Sequence, residues 1–179
     1  MNMNYKRKKE PLESRQAVLE AAFELIPEIG LDKLTLDAVS KKAKLSKGGL
    51  LHHFPKKDAL INALFADSLQ KFSDTMSRAK RDNESFAITY LKAIVNDKPD
   101  PLQKRSMHLL MQAAIHNGSY RELLAQWYQK NVMSEAVNNS PAALTAILVA
   151  DGIWYANLFG AYTLTREQKN QIIDLISNL

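Results

Sequence analysis

Within the twelve residues "SKGGLLHHFPKK" the chain gathers Ser46, Lys47, Gly48, Gly49, His52, His53 and Lys57. Lysine and imidazole at this density suit a polyanion, since they supply charge and N–H donors to phosphate oxygens. The glycines pull the other way. Each costs a helix interior roughly 1 kcal/mol relative to alanine, yet Leu50, Phe54 and Leu60 keep helical spacing around them. Without side chains, Gly48 and Gly49 let the backbone approach a groove closely, leaving Lys47, His52, His53 and Lys57 to hold phosphates.

Other chemistries find less support. His52 and His53 are adjacent, so on a helix they point about 100° apart and cannot chelate together. His108 and His116 lie nearly on one face but roughly 12 Å apart along the axis. Neither spacing suits one ion, and no HExxH accompanies them. No GxSxG, GxGxxG or phosphate-cradling glycine loop occurs. No catalytic residue, metal site or cofactor is therefore expected, and the chain does not read as an enzyme. The absence of cysteine excludes disulfides and thiolate sites and fits a reducing cytoplasm. "MNMNYKRKKEP" has charge without an apolar stretch behind it, so it does not read as a signal peptide.

Asp151 raises a different question, standing alone in the apolar stretch "LTAILVADGIWYANLFGAYTL". A charge near the centre of a membrane span costs about 2.5–3.5 kcal/mol on insertion scales, which argues against a span. Burial without a partner would also be costly. One reading pairs Asp151 with a neighbouring helix or a symmetry mate. The other sets it beside Trp154 against a cationic ligand, combining charge with aromatic surface. Tyr90, Met111 and Trp127 are further candidates for a ligand site, since such sites are mostly apolar with few polar groups.

Helices must position these residues. "SRQAVLEAAFELIPEIG" places Val18, Ala22, Leu25 and Ile29 on one face, with Gly30 as its end and Pro27 near its last turn. Thr35 is a fitting N-cap for a second helix and Ser46 for a short third one. Pro55 stops the third, and a long fourth begins near Lys56. Helices are also expected over residues 82–96 and from Leu102 to Asn117. "SYRE" matches a capping box opening a helix that reaches about Val137. Ser140-Pro141 opens the apolar helix, which ends near Gly160, and "TREQ" caps the last one. The pattern is all-α with nine to ten helices and no strand.

Residues 1–58 hold 12 Lys/Arg against 8 Asp/Glu, and residues 59–179 hold 12 against 11. The positive excess is N-terminal, where a polyanion would be met. Lys41, Lys42 and Lys44 also fit a plain solvated face. Lys6, Arg7, Lys8 and Lys9 form either a solubilising tail or a DNA-tracking arm.

The second and third helices sit at helix-turn-helix spacing. "LTLDAVSKKAKLSKGGLLHHFPKKDALINAL" further resembles the DNA-binding domain of the TetR (tetracycline-repressor-like) family. The matching residues are Thr35, Val39, Ala43, Leu45, Ser46, Gly48, Leu50, His53, Phe54, Lys57 and Leu60, within a match running from Arg15 to Leu64. Gly49 and Leu51 depart from it, standing where the family more often has threonine or serine, and tyrosine.

The resemblance implies a homodimer whose third helix lies in the major groove. It also implies a divergent C-terminal domain that binds a small molecule and supplies the dimer interface. The expectation is therefore an N-terminal arm and three-helix DNA-binding domain over residues 1–56, followed by an effector-binding and dimerisation domain over 57–179. The dimer would form through residues 141–179, because a helix apolar all round must be covered all round. The function expected is a repressor that binds double-stranded operator DNA and is released by a small-molecule effector of cationic or aromatic character. A helical interaction or carrier protein that no longer reads DNA is the alternative.

Overall fold

The computed structural model describes residues 3–80, 84–96, 98, 101–133, 137 and 139–179. Among the described residues nine helices and no strand are found: α1 (Met3–Ile29), α2 (Leu36–Lys42), α3 (Lys47–His53), α4 (Lys57–Ala79), α5 (Phe86–Asn96), α6 (Pro101–His116), α7 (Gly118–Asn131), α8 (Pro141–Phe159) and α9 (Arg166–Ser177). Two compact units form. The first comprises Met1–Ser68 with Pro101–Tyr120, and the second Leu69–Asp100 with Arg121–Leu179.

In the first unit, α1 begins inside the basic segment instead of after it. Its buried line is Val18, Leu19, Ala22 and Ile26, while Leu25 and Ile29 are only half-buried. The face is thus rotated slightly from the one its apolar spacing suggests. Gly30 closes the helix at φ 82°, its N–H reaching the Ile26 carbonyl at 2.9 Å. Glycine suits this left-handed position because it has no Cβ.

Pro27 lies within the helix instead of ending it. It has no N–H to donate to the Phe23 carbonyl four residues back. The buried hydroxyl of Ser106, on α6, donates to that carbonyl at 3.0 Å. The proline therefore creates an acceptor that α6 satisfies.

The helix-turn-helix forms by capping. Thr35 Oγ1 accepts from the Ala38 N–H at 3.1 Å, and Ser46 Oγ from the Gly49 N–H, also at 3.1 Å. Between the helices Lys44 adopts φ 56°, and the Leu45 N–H returns to the Ser40 carbonyl at 2.9 Å. Val39, Leu50, Phe54, Leu60, Leu64 and Phe65 are buried.

In the second unit, α5 is the inner helix, burying Ala87, Tyr90, Leu91, Ile94 and Val95. These belong to one core with Ala146, Ile147, Ala150 and Ile153 of α8 and Ile176 of α9. Alanines at 146 and 150 keep the α8 surface shallow there, so another helix can approach closely. Ser140 caps α8 by accepting from the Ala143 N–H at 3.2 Å, and Gly160 ends it at φ 67°. Thr165 and Gln168 form the reciprocal capping box of α9, at 2.9 and 3.2 Å.

Some boundaries differ from the sequence pattern. α7 starts at Gly118, and it is the Asn117 side chain that accepts, from the Ser119 N–H at 2.9 Å. The "SYRE" box is not formed, because the helix has already begun at the position the box needs for its cap. α7 ends at Asn131, where the Val132 and Met133 N–H groups both turn back to the Tyr128 carbonyl. α5 begins at Phe86, with Ser85 Oγ accepting from the Ile88 N–H at 3.3 Å. Residues 82 and 83, expected in that helix, lie outside the described residues.

Ser106→Ala should lower the unfolding free energy by about 1–3 kcal/mol, the usual cost of a buried acceptor left unsatisfied. Adding Pro27→Ala restores an amide opposite Phe23 and should recover part of that loss in urea titration. Equal losses in the single and double variants would show that the serine does not serve this carbonyl.

Candidate DNA-reading helix and effector cluster

α3 has only seven residues, too few to be stable on its own propensity. Leu50 and Phe54 anchor it in the core, and Ser46 caps its start. The Arg15 guanidinium lies over the Phe54 ring, 5.3 Å from its centroid. What remains outward is Lys47, Gly48, Leu51 and His52, all exposed.

The two glycines differ. A Cβ at Gly48 would meet nothing within 4 Å, so that face is open to an approaching surface. A Cβ at Gly49 would stand 3.2 Å from Ser46 Oγ, the atom that caps the helix. Gly49 thus leaves room for the cap, whereas Gly48 leaves room for something outside the chain.

Both lysines, Lys47 and Lys57, have a partner within the fold. Lys47 Nζ lies 3.0 Å from Asp37 Oδ1, with both side chains more than half exposed. Such a pair contributes little to stability and breaks readily. Lys57 Nζ donates to the Asp32 carbonyl at 2.8 Å, tying the start of α4 to the α1–α2 connection. His52 and His53 meet edge-to-face at 5.5 Å, and His53 lies against Phe54 at 6.4 Å. Thr35 and Ser46 spend their hydroxyls on helix caps. The structure therefore groups Lys47, Gly48 and His52 on one exposed face, with Gly49 and His53 half-buried beside it. Leu51, exposed on that same helix, is absent from the sequence-derived set, as is the partner role of Asp37.

In the second unit Asp151 is held by two tyrosines. Tyr90 Oη donates to Asp151 Oδ1 at 2.6 Å and Tyr128 Oη to the same oxygen at 3.1 Å. Among the described residues no hydrogen bond reaches Oδ2. Aromatic rings surround the group: Phe72 meets Tyr90 at 5.9 Å and Trp127 at 5.5 Å, and Trp127 meets Tyr128 edge-on at 5.3 Å. Trp127 Nε1 donates to Ser73 Oγ at 2.9 Å, fixing the indole plane. Trp154 packs edge-on against Tyr155 at 5.0 Å. Met111 belongs to the first unit, where it is buried.

Burial raises the Asp151 carboxyl above its ordinary value, against the opposing hydrogen bonds from Tyr90 and Tyr128. Burial likewise raises both tyrosines, with the Tyr128 ring and then Asp151 adding to the effect at Tyr90. Both hydroxyls therefore remain protonated donors at neutral pH. Asp151 thus pairs with neighbouring helices, through Tyr90 on α5 and Tyr128 on α7. Tyr128 and Ser73 were not legible as site residues, since nothing in their local spacing points to an acid 23 residues or an indole 54 residues away.

α8 also bears an exposed apolar stripe. Leu148, Gly152, Tyr155 and Phe159 follow one another at helical spacing, and Leu148 and Phe159 are 71% and 51% exposed. Tyr155 and Phe159 stack with rings 6.3 Å apart. This helix is long and apolar enough to cross a membrane by length and composition alone, but its other side is built into the core with α5.

Residues 18–64 match the family of bacterial regulatory proteins called the tetR family. Residues 84–179 match the tetracyclin repressor-like C-terminal domain. The HTH-type transcriptional regulator BetI of Escherichia coli (strain K12) is 23% identical over 175 residues, covering 88% of this chain and 89% of that protein. BetI of Stenotrophomonas maltophilia (strain R551-3) is 34% identical over 89 residues, covering 50% of this chain and 45% of that protein. A TetR-family member from Streptomyces coelicolor A3 superposes with TM-score 0.75 at 18% identity, over 92% of this chain and 98% of that one. The multidrug binding protein EbrR, solved with ethidium, superposes with TM-score 0.69 at 19% identity, over 91% and 98%. At these identities the two structures bear on the fold.

The Asp151 carboxyl is raised from 3.8, so the folded state holds its proton more tightly than the unfolded chain does. Below 3.8 both states are protonated and the group is neutral in each. Between 3.8 and the raised value the unfolded chain ionises while the folded state keeps its proton, so folding weakens across that window and the loss levels off above it. Asp151→Asn cannot ionise and should gain stability relative to wild type as pH rises through that window. Urea titrations at stepped pH check this, and a difference between the two proteins that stays constant with pH would contradict it.

Proposed function

The chain belongs to the tetR family of bacterial regulatory proteins, and from that premise we propose that it is a repressor, released from its operator by a cationic aromatic effector. It is a transcriptional regulator of the helix-turn-helix type. The observation that carries the DNA reading is α3, a capped helix whose outward face combines an open glycine with lysine and histidine. We assign DNA reading to residues 1–56 and effector binding and dimerisation to residues 57–179.

Lys47, His52 and Lys57 supply phosphate contacts, and Gly48 brings the backbone close to the base edges. Thr35 and Ser46 set the geometry of that face by capping its helices, with Gly49 and His53 half-buried beside it. An operator-binding regulator works in the cytoplasm, where the DNA is. Two copies would join through residues 141–179, burying Leu148, Tyr155 and Phe159 of each. Their recognition helices would then meet successive major grooves of a palindrome, about 34–36 Å or a multiple apart.

Support for a cationic effector comes from Asp151, Trp127 and Trp154 and from the rings of Tyr90 and Tyr128. Among the described residues the arrangement offers one carboxylate oxygen without a hydrogen bond, amid aromatic faces that attract cations. That the similar EbrR was solved with ethidium, itself a cation, agrees with this class. Met111, buried in the first unit, stands apart from this cluster. Release follows if the effector binds the non-binding conformation better than the DNA-bound one.

Selection of bound duplexes from a random pool should return a two-fold symmetric site. Gly48→Leu should abolish binding to it while the circular dichroism stays helical, because the added side chain meets nothing in the fold. Lys57→Ala should instead weaken all duplexes alike and flatten the salt dependence. Purely salt-driven binding without a preferred sequence would point to a carrier or interaction protein. Ethidium should release the selected duplex from wild type, and Asp151→Asn should require about tenfold more of it, a factor typical of one lost charge contact. Equal response in both proteins would remove Asp151 from the effector site.

A further inference from the structure

Leu51 is a side chain that the phosphate-binding account of α3 leaves unused. It is 37% exposed, while its apolar neighbours Leu50 and Phe54 are buried and anchor the helix. It lies three residues after Gly48 and four after Lys47, so all three share a face. A lone exposed leucine elsewhere on a protein would need no explanation. This one stands on the face that carries the cations.

Phosphate gains nothing from a leucine. The major groove offers one apolar group on its base edges, the C5 methyl of thymine, and apolar side chains read it by contact. Gly48 supplies the remaining condition. With no Cβ and nothing within 4 Å of where one would be, the strip beside Leu51 stays open, so the helix can settle deep enough for the Leu51 methyls to reach the groove floor. Lys47 reaches Asp37 on α2 at 3.0 Å, so its long side chain can extend away from the leucine. His52, exposed one residue later, turns its ring toward His53.

We propose that Leu51 reads thymine methyl groups, and so selects A·T pairs at the operator positions beneath α3. The proposal rests on the DNA-reading assignment above and names the base chemistry that the helix selects. Contact of one methyl with a leucine contributes about a fourfold preference, the worth of one apolar carbon removed from water. Specificity at those positions would come from shape and burial, with no hydrogen bond to the base.

The experiment uses the full chain and the duplex recovered by selection. Each thymine is replaced singly by deoxyuridine, which deletes the methyl and keeps base pairing. At one or two positions per half-site the replacement should weaken wild type about fourfold. Leu51→Ala should lose a similar factor on the thymine duplex and be indifferent to uracil at those same positions. Leu51→Thr, which keeps one methyl, should fall between them. All three should show the same helical circular dichroism, since the side chain is exposed. The proposal is overturned if wild type binds every uracil duplex equally, or if Leu51→Ala keeps the wild-type penalty at each position. If selection returns no preferred sequence, the DNA-reading assignment itself fails and this proposal falls with it. That outcome is distinct, because there is then no operator to substitute.

Discussion

Pro27 leaves the Phe23 carbonyl without its helical donor inside a buried part of α1, and Ser106 of α6 supplies the missing hydrogen at 3.0 Å. A buried acceptor without a partner is costly, so the bond constrains more than it adds. It holds α6 against α1 in one register. Leu110 and Ala114 of α6 are buried in that same unit, which joins the reading helices to a segment remote in sequence. A helix breaker therefore acts here as a docking point, and the placement of α1 that supports α2 and α3 depends on it.

α3 shows how little intrinsic stability a reading helix requires. Seven residues with two glycines would not hold together in isolation. The Ser46 cap, the buried Leu50 and the buried Phe54 replace propensity with tertiary support. This arrangement leaves Lys47, Gly48, Leu51 and His52 exposed and free of the task of anchoring the helix. Gly49 is the exception, because the cap oxygen occupies the space that its side chain would need.

The second unit sets one carboxylate amid aromatic side chains. Asp151 takes both tyrosine hydroxyls on a single oxygen amid a ring of aromatic side chains. Burial opposes its ionisation and the two hydroxyls favour it, so the group is poised between those influences. A half-buried carboxyl costs stability relative to an apolar filling. The α8 stripe makes the same point on the surface: Leu148 and Phe159 stay exposed on a helix whose opposite side closes the core.

Local chemistry in the sequence was enough to determine the helical class, most helix ends and the face of α3. Thr35, Ser46, Ser140 and Thr165 cap the helices that their spacing announces, since a cap needs only atoms three residues away. The same locality misled at "SYRE", where Asn117, two residues upstream of Ser119, takes the cap first. Long-range partners were beyond its reach. That Pro27 is answered by Ser106, that Asp151 is answered by Tyr90 and Tyr128, and that Lys47 is drawn to Asp37 all depend on where helices come to lie against one another. A side chain's type states what bond it can make, but only the packed chain decides which group stands close enough to make it.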